Sequence, residues 1–207
     1  MTISHPRLLT LADVEQAAQV IAQAFAETPF MMHMYPLKRT RLTTLVKFFR
    51  IYAEKAISHN RGFGLGEPLQ GAAFWKFPEQ PPLSPGRRSW RKFLPLLLTA
   101  YPIGYLRTRS IMKRIRALHV KHAASEPHFY LDYVGVIPSA RGQGLSSALI
   151  RPFLRLADER KVFTYLETMN KVNLTLYEHF GFHCVEQSPV HGTDITVYAF
   201  KRPFRSR

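Results

Sequence analysis

A mixed α/β fold follows from three features of this 207-residue chain. From residue 128 onward, β-branched and aromatic runs alternate with stretches whose apolar residues recur at helical spacing, the order of a sheet covered by helices. Between the first of these strands and its helix lies Val136-Ile-Pro-Ser-Ala-Arg-Gly-Gln-Gly-Leu-Ser-Ser147, where two glycines precede a helix start. In the first half, two amphipathic stretches come before two short strand-like runs, so helices and strands interleave along the whole chain.

Residues 6–10 read as a short strand, and Thr10-x-x-Asp13 resembles a capping box that opens a helix ending near Phe25. Val14, Ala17, Ala18, Ile21, Ala24 and Phe25 give it one apolar face. A second helix is expected over 39–57, with Leu42, Leu45, Val46, Phe49 and Tyr52 on one side. Two strands follow at 63–65 and 71–77, separated by a Glu67-Pro68 turn, and a proline-rich connector runs from Pro78 to Pro85. Residues 86–124 carry basic side chains at both ends of an apolar run and read as two helices joined near Arg107. Their apolar stripe is expected to close a pocket while the charges face water.

The second half reads strand 128–136, helix 144–160, strand 162–167 and helix 171–180 closed by Gly181, then strands at 182–186 and 195–200. Neither repeats nor low-complexity tracts interrupt it, and one domain spanning 1–207 with 86–124 as a helical insertion is expected.

Twenty-nine Lys and Arg against fourteen Asp and Glu give a formal charge of +15, which suits a polyanionic ligand, nucleic acid or an anionic membrane surface. The uncharged run 93–106 is 14 residues long, contains Pro95 and Pro102, and is too short to span a bilayer. Cys184 is the only cysteine, which excludes an intramolecular disulfide, and it reads as a small core residue rather than a nucleophile. The opening Met-Thr-Ile-Ser-His-Pro lacks the basic and apolar regions of a secretory signal, so a cytoplasmic protein is expected.

The glycine loop is a phosphate cradle. Gly142 and Gly144 can adopt backbone conformations closed to other residues, and the first turn of the following helix has N–H groups without intrahelical partners. A Walker loop is excluded because no Gly-Lys-Ser/Thr follows a glycine at the required spacing. Gly142-x-Gly144-x-x-Ser147 with Glu167 downstream approximates a dinucleotide fingerprint, but five residues separate the strand from the first glycine and too little chain follows for a doubly wound sheet.

Downstream lies Leu166-Glu-Thr-Met-Asn-Lys-Val-Asn-Leu-Thr-Leu-Tyr-Glu-His-Phe-Gly-Phe182. Taken with Arg141-Gly-Gln-Gly-Leu-Ser146, the order strand, loop, helix, strand, then Asn173-x-x-x-Tyr177-x-x-x-Gly181-Phe182 resembles the GNAT superfamily of acetyl-CoA-dependent N-acetyltransferases. Tyr133-Val-Gly-Val136, Leu166-Glu-Thr168 and Asn173-Leu-x-x-Tyr177 are most similar to its puromycin N-acetyltransferase-like branch. The match is clear over 128–200 and weaker at Ala72-Ala-Phe-Trp-Lys-Phe-Pro78.

The resemblance implies a GNAT-type mixed, splayed central sheet flanked by helices, with the basic helical insertion before the fourth strand. It implies acetyl-CoA as cosubstrate and an amine acceptor, without a metal. Coenzyme contacts then fall on the strand backbone at Val134 and Val136, on Arg141, Gly142, Gln143, Gly144, Leu145, Ser146 and Ser147 at the cradle, and on Asn173. Ser146 departs from the Gly/Ala of the family pattern. Acetyl transfer needs a neutral amine, an oxyanion site, assigned to backbone N–H of the strand, and a proton for the departing thiolate. The family places a tyrosine for the last task where Tyr177 stands, although Tyr177 could equally only hold the coenzyme. Asp132 and Glu167 are the candidates for a base; either could instead be a structural hydrogen-bonding group, and an acceptor arriving neutral needs no base.

His119-x-x-His122 with His128, and His179 with His183, lack a carboxylate or cysteine at metal-site spacing and are not read as ligands. Trp75, Phe77, Phe129 and Tyr133 are expected in the core or a pocket wall. The alternative to an enzyme is a non-catalytic module on the same scaffold, sensing coenzyme A or docking on nucleic acid through the basic insertion.

Overall fold

The computed structural model describes residues 5–80 and 101–205. Seven strands among them form one sheet: β1 (Arg7–Leu8), β2 (Gly62–Leu65), β3 (Gly71–Lys76), β4 (His128–Val136), β5 (Phe163–Thr168), β6 (His183–Pro189) and β7 (Thr196–Arg202), in the order β1-β2-β3-β4-β5-β7-β6. β4 and β5 are parallel and every other pair is antiparallel. The helices are α1 (Val14–Phe25), α2 (Pro29–Met34), α3 (Lys38–Ile57), α4 (Tyr101–His122), α5 (Leu145–Glu159) and α6 (Leu174–His179).

Strand alternation divides the core into two layers. On one face Ala72, Phe74, Tyr165, Val197 and Ala199 pack with α1 and α3 through Ile21, Leu45 and Phe49. On the other, Ala73, Trp75, Leu166, Tyr198 and Phe200 pack with Leu149, Ile150 and Leu154 of α5 and Tyr177 of α6. Trp75 and Phe129 are core residues, as their sequence context predicts.

β4 and β5 pair only from His128↔Phe163 to Tyr130↔Tyr165 and then part. Along the other edge of β4 the register with β3 slips at Asp132, because Phe74 faces Tyr133 and Trp75 faces Leu131. Asp132 is thus the extra residue of a β-bulge.

Several expectations need correction. α4 runs unbroken through Arg107, where a joint was expected, since no Gly or Pro follows Gly104 within it; residues 81–100, including most of the first expected insertion helix, lie outside the described residues. α2 was not anticipated, although Thr28 followed by Pro29 at its first turn is a helix-start signal. Leu42 is exposed, and its neighbour Arg41 turns inward instead, donating to the carbonyls of Tyr35, Pro36 and Ala26 at 2.7, 3.1 and 3.2 Å. The stretch 171–180 begins as a 3-10 turn (Lys171–Asn173) before α6. The Thr10–Asp13 capping box is present, with Arg7 donating to both carboxylate oxygens of Asp13 at 2.9 and 2.6 Å. No helix among the described residues is long and apolar enough to cross a membrane.

The end of α5 is tied to the sheet by Arg202, which donates to both oxygens of Asp158 at 2.8 Å and to the Phe180 carbonyl at 3.2 Å. Burial pushes the Asp158 carboxyl up, but these bonds and the Arg205 amide outweigh it and leave it below its ordinary value. Asp158→Ala leaves a buried guanidinium unpaired and is expected to cost about 3 kcal/mol in chemical denaturation. The pair's contribution is complete above the unfolded carboxyl's pKa near ~4 and is lost as pH falls through the lower folded value, so wild type and variant converge in acid.

Candidate active site

β4 ends at Val136, a 3-10 turn (Pro138–Ala140) follows, and the chain reaches α5 through Arg141-Gly142-Gln143-Gly144. Gly142 and Gly144 hold φ of 79° and 78°, the left-handed region that β-carbons disfavour. A Cβ at Gly142 would meet nothing within 4 Å, so backbone conformation alone requires this glycine. Gly144 is the N-cap of α5 and has no side chain to satisfy the first-turn amides.

These amides open on a cleft of about 480 Å³ between β4 and the segment from Asn170 to Phe180. Val134, Val136, Arg141, Gly142, Gly144, Leu145, Ser146, Ser147, Asn173 and Tyr177 all line it. Gln143 is exposed and is not among its walls. Arg141 reaches the Ala24 carbonyl at the end of α1 at 3.4 Å, and Ser147 accepts a hydrogen bond from Arg151 at 2.7 Å. The residues present fit a coenzyme phosphate: unsatisfied amides, a positive helix end, an arginine and a serine face one space.

The cleft continues into a chamber of about 130 Å³ where β4 and β5 diverge, sharing Phe25, Thr28, Val134, Asn173 and Tyr177 as walls. Phe30 and Met31 of α2 and Met112 and Ile115 of α4 make most of its remaining surface apolar. Tyr177 is buried at the junction, and the loss of water around it lifts its phenol to about 12.

Both candidate carboxylates reach the chamber, but in different states. Strand alternation places Asp132 on the face of Val134; the bulge overturns this. Asp132 turns toward α3, where Tyr52 Oη donates to it, and Lys76 Nζ pairs with it at 2.7 Å. Val134 packs with the layer on the opposite face. Glu167, at the end of β5, accepts one hydrogen bond, from Tyr130 Oη to Oε2 at 2.6 Å, and its Oε1 is buried without a partner. Burial lifts its carboxyl to about 7, aided by the charge of Asp132 and opposed by the nearby tyrosine hydroxyls and Lys76. Lys76 Nζ also stands 4.4 Å above the Tyr130 ring and so links the two carboxylates.

Tyr52, read only as part of a helix face, and Lys76, Tyr130 and the residues of α2 were not identified as site residues from sequence. Tyr130 lies two residues before Asp132 and Lys76 ends an apolar strand, yet only the fold reveals which carboxylate each meets. Of the histidines, His119 and His128 approach Nε2 to Nε2 at 3.0 Å and His122 meets Glu186 at 2.6 Å. No group of three or more metal-ligating side chains occurs among the described residues.

The model of the acetyltransferase (GNAT) family matches residues 67–182. An uncharacterized N-acetyltransferase of Schizosaccharomyces pombe is 41% identical over 54 residues, which make up 26% of this chain and 22% of that protein. The fold is that of a Corynebacterium glutamicum protein, histone acetyltransferase HPA2 and related acetyltransferase, with a TM-score of 0.68 at 22% identity over 100% of this chain and 99% of that one. It is also that of the PaiA N-acetyltransferase of Thermoplasma acidophilum solved with coenzyme A, with a TM-score of 0.59 at 12% identity over 99% and 100% of the two chains. The glycine cradle, the diverging strands and the family match over more than half of its length agree: the chain belongs to the acetyltransferase (GNAT) family.

Proposed function

We propose that the protein transfers the acetyl group of acetyl-CoA to the primary amine of a small molecule by direct attack. The observation that carries this reading is the continuity of the two spaces: the cleft that fits a coenzyme opens into a chamber that contains Glu167. The neighbour solved with coenzyme A supports the choice of cosubstrate. The small chamber favours a slender acceptor, as does the resemblance to the puromycin N-acetyltransferase-like branch. A cytoplasmic location suits the lone cysteine.

The cradle holds the pyrophosphate, and the open edge of β4 at Val134 and Val136 pairs with the pantetheine arm like an added strand. An N–H on that edge polarises the thioester carbonyl. Apolar walls disfavour an ammonium and so favour the reactive amine. As the nitrogen bonds to the carbonyl carbon, its surplus proton passes to Glu167 Oε1, the oxygen without a hydrogen bond. The C–S bond breaks, and Tyr177, kept protonated by burial, gives its proton to the departing sulfur. The same desolvation disfavours a thiolate, which keeps donor and acceptor matched. Asp132 is a positioning residue: neutralised by Lys76 and bonded to Tyr52, it anchors the bulge.

Calorimetry should give micromolar acetyl-CoA binding that Gly144→Glu abolishes, since the substitution adds strain at φ 78° and a negative charge in the cradle. Tight coenzyme binding with turnover of no amine would support the coenzyme-sensing alternative instead. Because Glu167 must be ionised to accept a proton, kcat/KM is expected to rise with pH and level off above about 7. Glu167→Gln should flatten that limb and lower kcat about 100-fold. Tyr130→Phe removes a bond that holds the carboxyl down, so the limb should move to higher pH. Tyr177→Phe is expected to lower kcat by roughly 10- to 100-fold with acetyl-CoA affinity intact.

A further inference from the structure

Beyond the chamber, away from the coenzyme cleft, lies a second cavity of about 670 Å³. Met112, Ile115, Tyr130 and Asp132 line both spaces, so the chamber and the outer cavity adjoin. With about 130 Å³, the chamber takes an amine and a short stem, and the rest of any larger acceptor must occupy the outer cavity.

The walls change character along α4. Met112, Ile115, Arg116 and His119 share one helix face at spacings of three and four residues. The first two line the chamber and the outer cavity, while Arg116 and His119 line only the outer cavity. The helix rises about 6 Å from Met112 to Arg116.

Charge on the outer walls is mostly cancelled. Lys76 pairs with Asp132 at 2.7 Å, and Glu126 faces Lys201 at 3.8 Å. His128 Nδ1 lies 2.8 Å from the Glu126 carbonyl and so carries its proton there, which makes its Nε2 the acceptor from His119. Burial holds both rings below their ordinary values, and they are neutral at pH 7. Arg116 is the wall cation with no carboxylate partner among the described residues, on a helix without a single Asp or Glu.

We propose that the acceptor is an amine with an acidic group at the far end of an apolar stem, its nitrogen at Glu167, its stem against Met112 and Ile115, and its acid at Arg116. This rests on the acetyltransferase reading and narrows its substrate class. An ion pair at a half-open mouth gives specificity more than affinity, and the preference is correspondingly modest.

The test uses three amines of one stem length: 6-aminohexanoate, hexylamine and 1,6-diaminohexane. Each is titrated by calorimetry into protein saturated with coenzyme A and assayed for initial rates with acetyl-CoA. The acid should exceed hexylamine about fivefold in both affinity and kcat/KM, with the diamine poorest. Arg116→Glu, at an exposed helix position, should reverse the order of acid and diamine while acetyl-CoA affinity and the thermal midpoint stay constant. Equal binding of the three amines, a preference for the diamine, or an order untouched by Arg116→Glu would overturn the proposal. If acetyl-CoA binds and none of the amines binds or reacts, the small-amine reading itself fails and this inference falls with it.

Discussion

The divergence of β4 and β5 is the constraint on which the site depends. A strand directs half of its backbone groups to each side, and beyond Tyr130 those facing β5 have no strand partner. In a closed sheet this edge would be filled, whereas here it becomes the wall of a cleft. The chamber lies in the gap, the glycine cradle at the end of β4 and Glu167 near the end of β5. The sheet tolerates the opening because both of its faces are covered elsewhere, by α1 and α3 on one side and α5 and α6 on the other.

The opening also separates the two carboxylates electrostatically. Asp132 lies beside an ammonium and a phenol hydroxyl, which compensate its charge within the protein. Glu167 accepts from Tyr130 on one oxygen and is buried without a cation paired to it among the described residues, so its proton is held to near neutral pH. The bulge puts Asp132 and Tyr133 on the same side of the sheet, so that Asp132 keeps the layer of Tyr130 while Val134 faces the other.

The strongly basic character of the chain takes on local meaning in α4. Arg107 donates to the His33 carbonyl on α2 and Lys121 pairs with Glu186 on β6, so the helix is fastened near both ends by its own cations. Between those fastenings Met112 and Ile115 line the chamber, and Arg116, on the same face, lines the outer cavity. The expected contact of an apolar stripe with a pocket is seen at Met112 and Ile115, but Arg116 shares that face instead of lying behind it, and the expected break at Arg107 is absent.

Local chemistry determined much of this protein from sequence alone. Strand and helix periods place β3 to β7, α1, α3 and α5 within a few residues, and the glycines at 142 and 144 declare a cradle because positive φ and uncapped amides are properties of adjacent residues. Tyr177 and Asn173 were legible through a family pattern of short range. Tertiary structure alone decided the states of the acidic pair, because Tyr52 meets Asp132 from 80 residues away and Tyr130 meets Glu167 from 37. Strand alternation cannot foresee a bulge, and desolvation depends on walls contributed by α2 and α4. Periodicity and capping act between near neighbours in sequence and are written there, whereas burial and charge compensation belong to neighbours in space that only the folded chain brings together.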